Sequence, residues 1–264
     1  MLKLNPPYPV RIGFVGRKGH GKNTLATLMQ KGVNSRVRPV EELAFADTLK
    51  AMLKVLGVTE AQLYGTTEQK EAIDPRYGVS PRRMMQTLGN EWGRQRIHED
   101  IWVRALIGQY HGLQENEPRR AAYGHSPISI FVTDVRMPNE AKALRNEGFF
   151  LVRIRRPDLM PPQPFTHGEG DEQAPERSEH DSERYIDHLM VDMEVENAGT
   201  LEDLQAQVPG IWERAMEHRA QWGAWQAALC PARLHDLRCQ DPTPGPTHWC
   251  RECAKGPLPH DGGA

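Results

Sequence analysis

At 264 residues, with 33 Lys and Arg against 35 Asp and Glu, the chain has room for one α/β domain with appendages and carries a net charge of only −2. That balance gives no global basic field of the kind that draws a protein to nucleic acid, and local clusters must do any anion binding. A hydrophobic share of 38% permits a sizeable core, while no apolar run reaches the roughly eighteen residues of a membrane span. Prolines in MLKLNPPYPVRIGFVG stand where a signal peptide needs an apolar stretch, so a cytoplasmic protein is expected. All four cysteines lie after residue 229, which leaves the main body without a disulfide framework.

The first apolar run, VRIGFV at 10–15, predicts a strand, and GRKGHGKNT at 16–24 follows it directly. Backbone N–H groups close on a polyphosphate only where side chains are absent, which gives Gly16, Gly19 and Gly21 a mechanical reason to be there. Lys22 then supplies a point charge for the β- and γ-phosphates, with Lys18 inside the loop, and the helix predicted over 22–31 aims its positive end at the same place. The usual pattern has Ser or Thr after the lysine as a magnesium ligand. Here Asn23 takes that slot and Thr24 follows.

Further strands are predicted at 42–46, 128–133, 149–154 and 189–195, with helices at 47–56, 81–96, 99–110, 138–147 and 200–220. Runs without strict alternation read as strands buried on both faces, hence a mainly parallel five-stranded sheet in a three-layer α/β fold. The Pro, Gly and charge-rich stretch at 156–174 breaks the alternation, as a plain surface loop or as a lid over about 157–184. Composition changes again near Trp222, which puts a boundary between a main domain at 1–220 and a tail at 221–264.

Four segments place polar groups at the carboxyl end of a strand or on a helix facing it: FADTLK at 45–50, SPRRMMQTLGNEWGR at 80–94, FVTDVRMPNE at 131–140 and RIRRP at 153–157. In open α/β sheets that edge binds ligands. The segments are rich in cations, including Lys50, Arg82, Arg83, Arg94, Arg136, Arg153, Arg155 and Arg156. Transfer of a phosphoryl group to an anionic acceptor needs such cations more than it needs a base, and the arginine fork holds two phosphate oxygens at once.

These segments, with the GKNT loop, HDSE at 180–183 and VENAGTLEDL at 195–204, resemble the phage deoxynucleoside monophosphate kinases, a branch of the P-loop nucleoside monophosphate kinase-like fold. The resemblance runs in order over roughly 9–208. The family more often has GKDT in the loop, so Asn23 is a variant of its own departure from Ser or Thr. The resemblance implies ATP as donor, Mg²⁺, and a deoxynucleoside monophosphate as acceptor. Lys22 and the loop would hold the triphosphate, and Asn23 or Thr24 with Asp134 would place Mg²⁺. Asp134, at a strand end, is either Walker-B-like or a cap of the next turn. Arg136 and Arg156 are candidates for transition-state charge, although Arg136 is also spaced to pair with Glu140. Asp47, Lys50, Arg82, Arg83, Gln86 and Arg94, with Asp134, are candidates for the acceptor side, where Gln86 has an amide suited to a base edge. Within HDSE, the residues His180, Ser182 and Glu183 read as positioning or capping, since no nucleophile elbow surrounds the serine.

The tail carries Cys230, Cys239, Cys250 and Cys253 with His235 and His248 nearby, and its HWCREC portion has a knuckle spacing that suits structural zinc. Free thiols and disulfides are the alternatives. Small-molecule nucleotides are the expected partners, with no membrane and no strong nucleic-acid signal, and a homodimer stays open. Two other readings compete with a deoxynucleoside monophosphate kinase. One is a kinase of the same fold acting on dephospho-coenzyme A or phosphomevalonate, and the other is a P-loop ATPase or switch with an interaction tail. The absence of an NKxD-type motif weakens the switch reading.

Overall fold

A computed structural model describes residues 9–32, 39–157 and 185–229, the side chains of 225–229 excepted. The tail cysteines, HDSE and nearly all of the expected lid lie outside the described residues. Five strands, β1 (Arg11–Val15), β2 (Val40–Leu43), β3 (Ser129–Val135), β4 (Phe150–Arg155) and β5 (Met193–Glu196), form one sheet in the order β2-β3-β1-β4-β5. Every pairing is parallel. The expected three-layer α/β fold is therefore the observed one, and all five carboxyl ends open on the same edge.

Helices α1 (Lys22–Gly32) and α8 (Leu201–Leu229) cover one face of the sheet. Leu204, Val208, Ile211, Trp212 and Ala215 recur at helical spacing along α8 and are buried, so this stripe seats α8 against Phe14 and Phe131. The Trp212 and Phe131 ring centroids are 5.9 Å apart. On the other face α6 (Ile101–Ala122) and α7 (Pro138–Asn146) bury Leu106, Tyr110 and Leu144 against Val132 and Leu151. Each fully buried aliphatic side chain of this kind contributes about 1.5–3 kcal/mol, which is why the stripes rather than local propensity decide where these helices lie.

Several elements differ from the sequence-based expectation, among them α6, expected to end near 110 and running to Ala122. Strand β2 stops at Leu43 because the amides of 44–46 turn to carboxylates, Ala44 to Asp47 and Phe45 and Ala46 to Asp134. Two short helices were not expected, α3 (Glu60–Tyr64) and α4 (Thr67–Glu71), each opened by a reciprocal Thr and Gln capping box at Thr59–Gln62 and Thr66–Gln69. Helix α8 passes through the boundary expected near 220 and reaches Leu229. Finally, the helix expected over 81–96 is α5 (Pro81–Gln86) followed by a π-helical stretch, Thr87–Ile97.

That π stretch has a packing cause. Trp102 lies against its glycine face and donates from Nε1 to the Gly89 carbonyl at 2.7 Å. A Cβ on Gly93 would stand 2.6 Å from Trp102 Cζ2 and 2.9 Å from the Leu88 carbonyl oxygen. Substituting Gly93→Ala should therefore lower stability by about 1–3 kcal/mol, the usual cost of overpacking. Urea unfolding monitored by circular dichroism measures it, and an unchanged midpoint would show that the indole has room to move.

Candidate active site

The loop between β1 and α1 is shaped by glycine and braced from β4 and β5. Gly19 and Gly21 adopt φ of +85° and +95°, a region costly for residues with a Cβ. A Cβ on Gly21 would also meet Asn197 Nδ2 at 2.6 Å. That amide donates to the His20 carbonyl at 3.1 Å, while the Asn197 N–H donates to the Arg155 carbonyl at 2.7 Å. The His20 ring meets the Ile154 carbonyl at 3.1 Å, and Arg17 pairs with Asp187 at 2.6 Å. Lys22 is buried, with Nζ donating to the carbonyls of Gly16 at 2.6 Å and Arg17 at 2.9 Å. Its charge is thus already at the mouth of the loop.

A cavity of about 1030 Å³ extends from this loop, at the upper end of the range for small-molecule sites. Lys18, Gly19, Gly21, Lys22, Asn23 and Thr24 of the loop and the start of α1 line it. So do Lys50, Arg82, Gln86 and Arg94, with Thr133, Asp134 and Arg136 from the end of β3. These expected site residues, drawn from β3, the loop and three helical segments, therefore meet in one place.

Two carboxylates organise the end of β3. Asp134 accepts from the Phe45 N–H at 2.8 Å on one oxygen and from the Ala46 N–H at 3.1 Å on the other. Burial pushes its pKa up, against the pull of those amides and of Arg136 and Lys50. Glu140 is buried; one oxygen takes Arg94 Nη2 at 2.7 Å and the other the backbone N–H of Arg136 at 2.8 Å and of Met137 at 3.0 Å. The pairing considered for Arg136 and Glu140 thus runs through the Arg136 main chain, and Arg94 is the cation that meets the carboxylate. Burial, with Asp134 nearby, pushes the Glu140 pKa up to about 6.

Among the other lining residues, Lys50 Nζ sits 4.3 Å from the Tyr64 ring centroid and Arg82 pairs with Glu71 at 3.2 Å. Gln86, Asn90 and Gln95 bring amides to a wall that also contains Leu49, Met85 and Trp102. Four expected residues are not among those lining the cavity. Gly16 accepts from Lys22 Nζ at 2.6 Å, Asp47 closes the turn after β2 by accepting the Ala44 N–H at 2.7 Å, Arg83 pairs with Glu91 at 3.1 Å, and Arg156 is exposed beyond β4. Arg153 is buried and held by Glu194 at 2.5 Å and by the Leu189 carbonyl, which makes it a brace between β4 and β5. The sequence did not single out Asn90, Asn197 or Lys70, and it named Glu140 only as a partner for Arg136. Asn90, Glu140 and Asn197 lie in segments that the resemblance marked, while the two capping boxes were the readable signal for the segment carrying Lys70.

Asn23, Thr24 and Asp134 offer hard oxygen donors on one cavity, and each Asp134 oxygen has given up one lone pair to an amide and keeps another. Such a set fits Mg²⁺, which is commonly held by one or two carboxylates together with substrate phosphates. Among the described residues no group of three or more His, Cys, Asp or Glu is placed to hold a metal, and the tail cysteines lie outside them.

Because Glu140 binds its proton more tightly in the folded chain than at the ordinary 4.5, its contribution to stability is fully present below about 4.5 and is lost as pH rises through about 6. Urea titrations of the wild type and Glu140→Gln between pH 4.5 and 7 should show the wild-type advantage shrinking with rising pH, by on the order of 1–2 kcal/mol. A difference that stays flat across that window would contradict the assignment.

A parallel α/β sheet with a glycine-shaped loop and a cation-lined cavity at its carboxyl edge accords with a nucleotide kinase, the class that the relatives below carry in their names. No protein-family model matches the chain. A mimivirus protein named "Putative deoxynucleotide monophosphate kinase" (Acanthamoeba polyphaga mimivirus) is 33% identical over 159 residues, covering 57% of this chain and 76% of that protein. The "Deoxynucleoside-5'-monophosphate kinase" of Escherichia phage T5 is 33% identical over 119 residues, 43% of this chain and 39% of its own length. The chain belongs to the deoxynucleotide monophosphate kinase family. Among solved structures, a Janibacter sugar kinase (14% identity, TM-score 0.37, 80% of this chain and 98% of that one) and a Campylobacter jejuni dephospho-CoA kinase (10%, 0.38, 79% and 98%) are similar too distantly to bear on the acceptor. Among the described residues no helix is long and apolar enough to cross a membrane.

Proposed function

We propose that the chain transfers the γ-phosphoryl group of ATP to a deoxynucleoside monophosphate, giving a deoxynucleoside diphosphate and ADP. The observation that carries this reading is one cavity lined both by the loop residues and by Lys50, Arg82 and Arg94, which lie outside the loop. A phosphate-bearing acceptor explains cations beyond the loop, whereas simple hydrolysis of ATP would need them only around it.

In this reading the loop amides and Lys22 hold the donor triphosphate. Lys50, Arg82 and Arg94 hold the acceptor's 5′-phosphate, and the amides of Gln86 and Asn90 face its base. An acceptor phosphate oxygen, already anionic, attacks the γ-phosphorus in line, and the bond to the β,γ-bridging oxygen breaks as ADP leaves. No proton has to be removed, so no general base is required. Lys22 and Arg136 stabilise charge on the transferring group, Lys22 by leaving the Gly16 and Arg17 carbonyls for the phosphate oxygens. Mg²⁺, held by Asn23 or Thr24 with Asp134, supplies further neutralisation of the triphosphate when bound. Arg156 and Arg83, outside the cavity in this structure, have a part only if the chain rearranges around substrate.

ADP release should require an acceptor, and a panel of the four deoxynucleoside monophosphates should include at least one that supports it. Dephospho-coenzyme A and phosphomevalonate serve as controls. Lys22→Ala should lower turnover by roughly a hundredfold or more while leaving the melting temperature near wild type. Turnover with a control acceptor alone, or full activity in Lys22→Ala, would reject the reading.

A further inference from the structure

Lys70 stands outside every segment that carries the family resemblance, yet its side chain lines the active-site cavity. It belongs to α4, a five-residue helix too short to hold itself and fixed by its cap: the Thr66 N–H donates to Gln69 Oε1 at 2.8 Å and the Gln69 N–H to Thr66 Oγ1 at 3.3 Å. α4 also packs against α5, the helix that carries Arg82 and Gln86. The lysine thereby reaches the cavity near Lys50 and Arg82.

Burial works against the protonated form of Lys70, and the nearby charges that add to it are cations, Lys50, Arg82 and Lys18. The adjacent carboxylate, Glu71, is engaged with Arg82 at 3.2 Å, and Lys50 is fixed over Tyr64 at 4.3 Å. Among the described residues Lys70 itself makes no ion pair or hydrogen bond through its side chain. Cations gathered in this way repel one another until an anion enters between them. A compact ammonium on a flexible stem can follow such an anion as it binds.

We propose that Lys70 binds the 5′-phosphate of the acceptor nucleotide, completing with Lys50 and Arg82 a cationic clamp built from α2 (Asp47–Val55), α4 and α5. This rests on the phosphotransfer reading above. The donor's phosphates belong to the loop amides and Lys22, so Lys70 acts on acceptor binding and leaves ATP binding alone.

Calorimetric titration of wild type, Lys70→Gln and Lys70→Arg with dAMP, dCMP, dGMP and dTMP, and with the matching deoxynucleosides, tests it. For each monophosphate that the wild type binds, Lys70→Gln should weaken affinity about tenfold or more, the scale of a lost charge-assisted hydrogen bond, and Lys70→Arg should restore most of it. Binding of the deoxynucleosides and KM for ATP should not change. Unchanged monophosphate affinity in Lys70→Gln, an equal loss for nucleoside and nucleotide, or a loss confined to ATP would overturn the assignment while leaving the kinase reading intact. If the wild type binds none of the four monophosphates, the kinase reading fails and this assignment with it.

Discussion

The cavity must hold several like charges close together before any phosphate arrives, and that constraint accounts for much of the structure around it. Four of the cations that line it have a partner in the structure. Lys22 rests on two loop carbonyls, Lys50 on the face of Tyr64, Arg82 on Glu71, and Arg94 on Glu140. The partners differ in strength. A carbonyl or a ring face is readily exchanged for a phosphate, whereas Glu140 is buried and bound to two further amides, so Arg94 is the most firmly held of the four. The partners are thus graded in how readily an anion could replace them.

The two carboxylates at the end of β3 tie the halves of the site together. Asp134 fastens the turn from β2 into α2, and with it the position of Lys50. Glu140 fastens the turn from β3 into α7 and reaches across to Arg94 in the π-helical stretch. On the far side, Asn197 and Arg17 join the phosphate loop to β5 and to the turn preceding it, Ile186–His188. Side-chain contacts from different segments thereby hold the loop. Loss of either carboxylate would release two segments at once.

The sheet and the phosphate loop were legible in the sequence because both are local. A strand buried on both faces is a continuous apolar run, and a phosphate loop is a glycine and lysine spacing. The acceptor side was legible only as a list of cations. Arg94 and Arg83 belong to the same predicted helix, yet the π-helical geometry that Trp102 accommodates takes one to the cavity and leaves the other with Glu91. Arg153 looked like its neighbours in RIRRP and proved to be a brace, since its side chain lies under β5 beside Glu194. Asp47 sits in the most family-like segment and closes a turn. In each case the deciding partner is distant in sequence or set by an irregular helix, which spacing does not encode.

The central claim is that one cavity brings a donor and an acceptor phosphate together for direct transfer. Incubating the protein with ATP labelled at the γ-phosphate and a mixture of the four deoxynucleoside monophosphates, then separating products, tests it most directly. Label should appear in a deoxynucleoside diphosphate, with little in inorganic phosphate when the monophosphates are left out. Label found mainly in inorganic phosphate, whether or not an acceptor is present, would contradict the account.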